Sequence, residues 1–351
     1  MTGSVGQVEI TGTAQHEAWQ RRELPPVEEV APGVHSVPVV FPGNPMRYTL
    51  SYVLHDADEC VVVDPGFDSD AGHTQLLDAL ACWGLSPSDI TGIVATHFHT
   101  DHLGMAARLA RESGAWVALG EHERRHISAF DDARAESARD RERMRTWGVP
   151  ADRQAEAAMS PDALIRMRRL ADADRRFGDG DVLTVAGRSW RVMETPGHTP
   201  GHICFWDDAG ELVIAGDHIL PRISPNVSLE IRGDADPLRQ DIASLQRIRD
   251  HDHYEVLPAH EYRFRGVGAR ARALEEHIAE RSREVLDVLD TGAATVHDVA
   301  RRLTWSRGWD SLGSLQFRLA LSETAAHLQF VKTSGLHPGV PGLPRVAADA
   351  A

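Results

Sequence analysis

Lysine is almost missing from this chain of 351 residues: Lys332 is the only one, so nearly every positive charge is an arginine. Positive charge is scarce altogether, with Lys+Arg 37 against Asp+Glu 52 and a formal net charge of −15. Such a chain has no general attraction for phosphate backbones or anionic lipid surfaces, so neither a nucleic-acid nor a membrane partner is expected. No stretch approaches the roughly 20 apolar residues of a membrane-spanning helix. Met1 to Arg22 lack the apolar run behind a basic start that marks a secretory signal. The three cysteines, Cys60, Cys82 and Cys204, form no CxxC pair and no dense framework, which suits a reducing cytoplasm.

Histidine, by contrast, is abundant, with 19 residues. Imidazole is the commonest protein ligand for metals, so the positions of these histidines carry the functional reading. Short β-rich runs (VHSVPVV, YTLSYVL, CVVVDPG) lead into alternating helix-like and strand-like segments, the pattern of an α/β domain. Residues 1–28, with Pro25-Pro26, read as a flexible lead-in, 29–266 as the main domain, and 337–351 as a tail. Residues 121–176 break the rhythm as an Arg- and Glu-rich helical insertion that carries no candidate ligand. It is expected to wall a substrate pocket through end anchors such as Phe130, Trp147, Met167 and Leu170. From 267 to 336 the pattern turns helical: Val267, Ala271, Leu274, Ile278, Val285 and Leu289 share one face, and Thr295 opens a capped helix.

The centre of the sequence is Thr96-His97-Phe98-His99-Thr100-Asp101-His102, four candidate ligands within six residues, between a strand-like and a helix-like run. Neither a helical nor a strand period produces that spacing, so the side chains radiate from a tight loop. Further along come Thr195-Pro196-Gly197-His198-Thr199-Pro200-Gly201-His202, Ala215-Gly216-Asp217-His218 and Leu257-Pro258-Ala259-His260-Glu261, with Val63-Asp64-Pro65-Gly66 upstream. The glycines in these motifs are expected to let the backbone turn sharply so that ligands converge.

Taken in order, these five motifs resemble those of the metallo-β-lactamase-fold hydrolases over about residues 34–265, most nearly the glyoxalase II branch. The resemblance implies an αββα sandwich with a dinuclear metal site at one edge and a small winged-helix-like C-terminal domain. It also assigns His97, His99 and His198 to one metal and Asp101, His102 and His260 to a second, with Asp217 bridging. Imidazole nitrogen and carboxylate oxygen suit zinc, with iron or manganese as alternatives. His99 stands where diiron flavoproteins of this fold carry an acid, and Asp217 where many β-lactamases carry cysteine, so the resemblance favours neither of those chemistries. His202, His218 and Asp64 read as supports for the ligands, and Cys204 as core.

The implied reaction is hydrolysis of an ester, thioester or lactone by a hydroxide held between two divalent cations. Asp101 is its catalytic residue, orienting the attacking oxygen and moving its proton. The alternatives are phosphodiester cleavage, as in an endoribonuclease of one branch, and sulfur oxygenation at a single iron. Arg263 and Arg265 are candidates to meet an anionic small-molecule substrate. The C-terminal helices lack a basic stripe, which favours packing or a homodimer contact over nucleic-acid binding.

Overall fold

The computed structural model describes residues 8–128, 132–170, 173–229 and 236–335. In chain order the strands are β1 (Glu9–Ile10), β2 (Glu28–Ala31), β3 (Val34–Val40), β4 (Tyr48–His55), β5 (Cys60–Val63), β6 (Gly92–Val94), β7 (Trp116–Gly120), β8 (Arg175–Phe177), β9 (Val182–Val185), β10 (Arg188–Glu194), β11 (Ile203–Asp207), β12 (Leu212–Gly216), β13 (Glu255–Pro258) and β14 (Phe264–Arg265). The helices are α1 (Thr13–Arg21), α2 (Asp70–Cys82), α3 (Ala106–Ser113), α4 (Glu121–Ser128), α5 (Ala133–Thr146), α6 (Gln154–Ala157), α7 (Pro161–Leu170), α8 (Pro237–Ile248), α9 (Val267–Asp290), α10 (Val296–Arg302) and α11 (Ser314–Thr333).

The strands form two seven-stranded sheets, one ordered β1-β14-β13-β12-β11-β10-β9 and the other β2-β3-β4-β5-β6-β7-β8. Alternation in the sequence explains how they stack. Along β4, Tyr48, Leu50, Tyr52 and Leu54 point into a core shared with Trp190, Phe205, Ile214 and Leu257 of the other sheet. Two tyrosine hydroxyls satisfy themselves across that core: Tyr52 donates to the Pro258 carbonyl and Tyr48 to that of Glu261, each at 2.8 Å. Helices flank the pair of sheets, giving the αββα sandwich. Parallel pairing of β5 with β6 and of β12 with β13 brings the carboxyl ends of these strands together in each sheet. Loops at those ends carry the histidine motifs.

The chain divides into two compact units. The sandwich unit comprises Met1–Ala129, Met167–Pro225 and Ser244–Ala273; the other comprises Phe130–Arg166, Asn226–Ala243 and Leu274–Ala351. The middle of the helical insertion therefore groups with the C-terminal helices. A buried polar knot explains the grouping: Asp140 of α5 accepts from Arg143 at 2.6 Å, from Arg318 of α11 at 2.7 Å and from the Met159 N–H at 2.7 Å. Arg153 also covers the ring of Phe317 at 3.6 Å. Trp147, expected at a pocket wall, is instead buried in this unit, where its carbonyl accepts from His297 N–H at 2.9 Å. The described residues of 267–335 are helical and contain no strand.

The segment expected to be a loose lead-in is, from residue 8 onward, part of the sandwich unit. β1 pairs with β14, and Gln15, fully buried on α1, donates to Ser36 Oγ and accepts from Arg263 N–H, each at 3.0 Å. Strand pairing and one buried amide make this attachment, which no apolar periodicity announces. Phe130 and the 337–351 tail lie outside the described residues, as does the side chain of Leu170. Among the described residues no helix is long and apolar enough to cross a membrane.

Candidate metal centre

All seven residues singled out as ligands meet at the carboxyl ends of the strands in the sandwich unit. The loop after β6 supplies His97, His99, Asp101 and His102, and the β10–β11 loop supplies His198. Asp217 follows β12 and His260 follows β13. They fall into two groups. In the first, His97 Nε2 lies 2.9 Å from His99 Nδ1, and His198 Nε2 lies 3.3 and 3.0 Å from those atoms. Tetrahedral zinc with nitrogen bonds of 2.0–2.1 Å sets its ligand atoms about 3.3 Å apart, so this triangle has the size a cation requires. In the second, His260 Nε2 lies 3.4 Å from Asp101 Oδ2, and His102 Nε2 3.9 Å from the same oxygen.

Asp217 stands between the groups: its Oδ2 is 3.6 Å from His198 Nε2 and 3.5 Å from His102 Nε2, and its Oδ1 is 3.4 Å from His260 Nε2. These separations exceed hydrogen-bond length, and both Asp217 Oδ1 and His102 Nε2 are buried without a hydrogen bond. Nitrogen and oxygen donors aimed at common points, with no thiolate among them, fit divalent cations.

The imidazoles are held so that the correct nitrogen faces inward. Asp64 accepts from the Thr96 N–H at 2.7 Å and Thr96 Oγ at 2.8 Å, and its Oδ2 lies 2.9 Å from His102 Nδ1. Thr96 Oγ is 3.1 Å from His97 Nδ1, and His260 Nδ1 is 3.1 Å from the Tyr48 carbonyl. In each case a bond at Nδ1 leaves Nε2 for a ligand. His202 supports Asp217: its Nε2 accepts the Asp217 N–H at 3.2 Å while Nδ1 meets Thr195 Oγ at 2.9 Å. Gly216, at φ +50, is needed here, because a Cβ would fall 2.5 Å from Thr96 Oγ and 2.7 Å from His202 Nε2.

Electrostatics distinguish the groups. Burial, reinforced by the neighbouring imidazoles, holds His97 well below the usual histidine range and His99 at about 3, so these two offer neutral nitrogens. Burial opposes charge on His260 too, yet Asp217 and Asp101 overcome it and raise the group to about 10. His102 is raised likewise against burial, by Asp217, Asp64 and Asp101. The carboxylates that would neutralise a cation neutralise protons in its place, so a cation taken up at the second group would displace protons.

Two expectations from the sequence change. Arg263 is not available to a substrate: it is buried and paired with Glu255 and with Glu28, the latter at 3.1 Å. Arg265 lies in β14 opposite Glu9. Conversely, Glu123 of α4, inside the insertion that was expected to leave the chemistry alone, is fully buried and bonded to both histidine loops. No local pattern marks it, since the groups that tie it to those loops are backbone N–H groups distant in sequence.

Residues 45–260, more than half of the chain, match the Metallo-beta-lactamase superfamily. The chain belongs to that superfamily. Among its metallo-hydrolase relatives, the probable metallo-hydrolase YqjP of Bacillus subtilis is 26% identical over 286 residues, spanning 80% of this chain and 86% of that protein. The hydroxyacylglutathione hydrolase of Pseudomonas putida is 26% identical over 232 residues, 64% of this chain and 67% of that protein. A crystal structure of a metallo-beta-lactamase family protein from Thermus thermophilus superposes with a TM-score of 0.73 at 27% identity, covering 88% and 95% of the two chains.

Proposed function

We propose that this metallo-hydrolase cleaves a small ester, thioester or lactone with two divalent cations, zinc foremost. His97, His99 and His198 hold one cation, Asp101, His102 and His260 hold the other, and Asp217 is shared. The observation that carries this reading is the place of Asp217, whose two carboxylate oxygens face histidines of both groups at 3.4–3.6 Å. The likeness to a hydroxyacylglutathione hydrolase supports a thioester as the first substrate class to test. The net charge of −15 supports a small molecule over RNA.

When bound, a cation pair would lower the pKa of water and polarise the carbonyl to be attacked. The chain supplies the rest. Asp101 keeps 17% of its side chain exposed, which leaves it reachable from the solvent side. Burial disfavours its charge, but His102 and His260 hold its carboxyl below the usual range, so it is ionised and can accept a hydrogen bond from water. It orients the attacking water and takes its proton as the new carbon–oxygen bond forms. The carbon–sulfur or carbon–oxygen bond then breaks, and the proton passes from Asp101 to the departing thiolate or alkoxide.

Metal analysis of the purified protein, beside turnover of a hydroxyacyl-glutathione thioester, a lactone and a phosphodiester, tests the proposal. We expect close to two cations per chain and turnover of the thioester or lactone at least ~10-fold above the phosphodiester. His198→Ala should deplete the first group and His260→Ala the second. A preference for the phosphodiester, one iron with oxygen uptake, or unchanged metal content in both variants would overturn it.

A further inference from the structure

We infer that Glu123 is a positioning residue for the first cation, acting as a carboxylate clamp that fixes the two histidine loops against each other. The inference rests on the metal assignment proposed above. Glu123 lies on the first turn of α4 and is fully buried. Its Oε1 accepts the N–H of Phe98 at 2.8 Å, and its Oε2 accepts the N–H of Gly201, also at 2.8 Å. Phe98 separates His97 from His99, and Gly201 closes the turn that carries His198. One carboxylate thus spans both backbone segments from which the three nitrogens of the first group project.

The neighbourhood is built for that contact. Gly201 was expected to be a turning glycine, but its reason is close approach: a Cβ there would fall 1.9 Å from Glu123 N and 2.5 Å from Glu123 Cα. A Cβ on Gly120, just before α4, would lie 2.4 Å from the Gly201 carbonyl oxygen. The start of α4 is therefore seated directly on the β10–β11 loop. His122, next in sequence, adds a tie from Nδ1 to Glu194 Oε1 at 2.9 Å, at the end of β10.

The chemistry explains why an acid is needed. Two converging N–H donors require an acceptor on each side, and a carboxylate offers one oxygen to each, in bonds stronger than those to a neutral acceptor. An amide of the same shape offers one oxygen and turns an NH2 group toward the second donor. The loops would then relax apart, and the nitrogen triangle of 2.9–3.3 Å would lose its spacing. Ligand supports of this kind typically change metal affinity by about 10–100-fold.

The test compares wild type with Glu123→Gln and Glu123→Asp by competition of Zn2+ against a chromophoric chelator, by the visible spectrum of the Co2+ form, and by melting of the metal-free proteins. We expect Glu123→Gln to bind one of the two cations about 10–100-fold more weakly and to alter the Co2+ spectrum, with the other cation retained. Glu123→Asp keeps the charge but is one methylene short, and should fall between wild type and Gln. Should Glu123→Gln give no soluble protein, Glu123→Asp decides alone. Wild-type affinity and an unchanged Co2+ spectrum in the folded variants would overturn the clamp, even if they melt earlier. A wild type that binds fewer than two cations would instead break the assignment on which the clamp rests.

Discussion

His102 is wired to Asp64: its Nδ1 lies 2.9 Å from Asp64 Oδ2, with both side chains essentially excluded from water. The same carboxylate binds Thr96 through its N–H and hydroxyl, so one acid sets both the entry of the metal loop and the direction in which His102 Nε2 points. Asp64 itself sits at φ 51, a left-handed conformation uncommon for a residue with a side chain. The surrounding bonds hold it there.

Replacing Asp64 by Asn should show what this wiring contributes. An amide NH2 turned toward His102 Nδ1–H leaves the ring without its acceptor, and we expect the second cation to bind about 10–100-fold more weakly. Chelator competition checks this; two cations held with wild-type affinity would refute it.

Asp101→Asn keeps shape and removes the proton acceptor. Turnover should fall at least ~100-fold, the scale of a lost general base, while the melting temperature holds. Steady-state kinetics on the best substrate decides, and near-wild-type turnover would remove Asp101 from the mechanism.

Trp147 belongs to the core of its own unit, with the Arg143 guanidinium 4.7 Å from its ring. Trp147→Ala should therefore destabilise the protein by about 3–5 kcal/mol through the cavity it leaves. Denaturant titration reads this directly, with metal content unchanged. An altered Michaelis constant without a loss of stability would restore the pocket-wall role that the sequence pattern suggested.

His327 of α11 gives the protein an acid sensitivity remote in sequence from the metal loops. Burial, with Arg281 and His277 adding to it, lowers this histidine from 6.5 to about 3, and its Nδ1 meets Ser282 Oγ at 3.0 Å. The unfolded chain takes up a proton near the ordinary value, whereas the folded one resists until about pH 3. The stabilisation is thus complete above about 6.5 and is lost as pH falls from there toward 3. His327→Gln should lose less stability than wild type between about pH 7 and pH 5 in chemical denaturation. Parallel losses would exclude His327 as the cause.

The sequence alone marked the loop after β6 as a candidate ligand cluster, because four ligand-type residues there announce themselves by type and spacing. His97, His99, Asp101 and His102 lie within six positions, whereas His198, Asp217 and His260 are picked out by the resemblance of their motifs to a known family. The α/β character was legible in the succession of strand-like and helix-like runs, and the sandwich in the resemblance of the motifs they carry. What only the tertiary structure decided are contacts made through backbone groups or single polar side chains at long range. Gln15 docks α1 through Arg263 N–H, Asp140 gathers α5 with α11, and Glu123 joins two loops 103 residues apart, from Phe98 to Gly201. Any residue but proline can present a backbone N–H, so such a partner leaves no mark in the sequence, and its place is known only once the chain has folded.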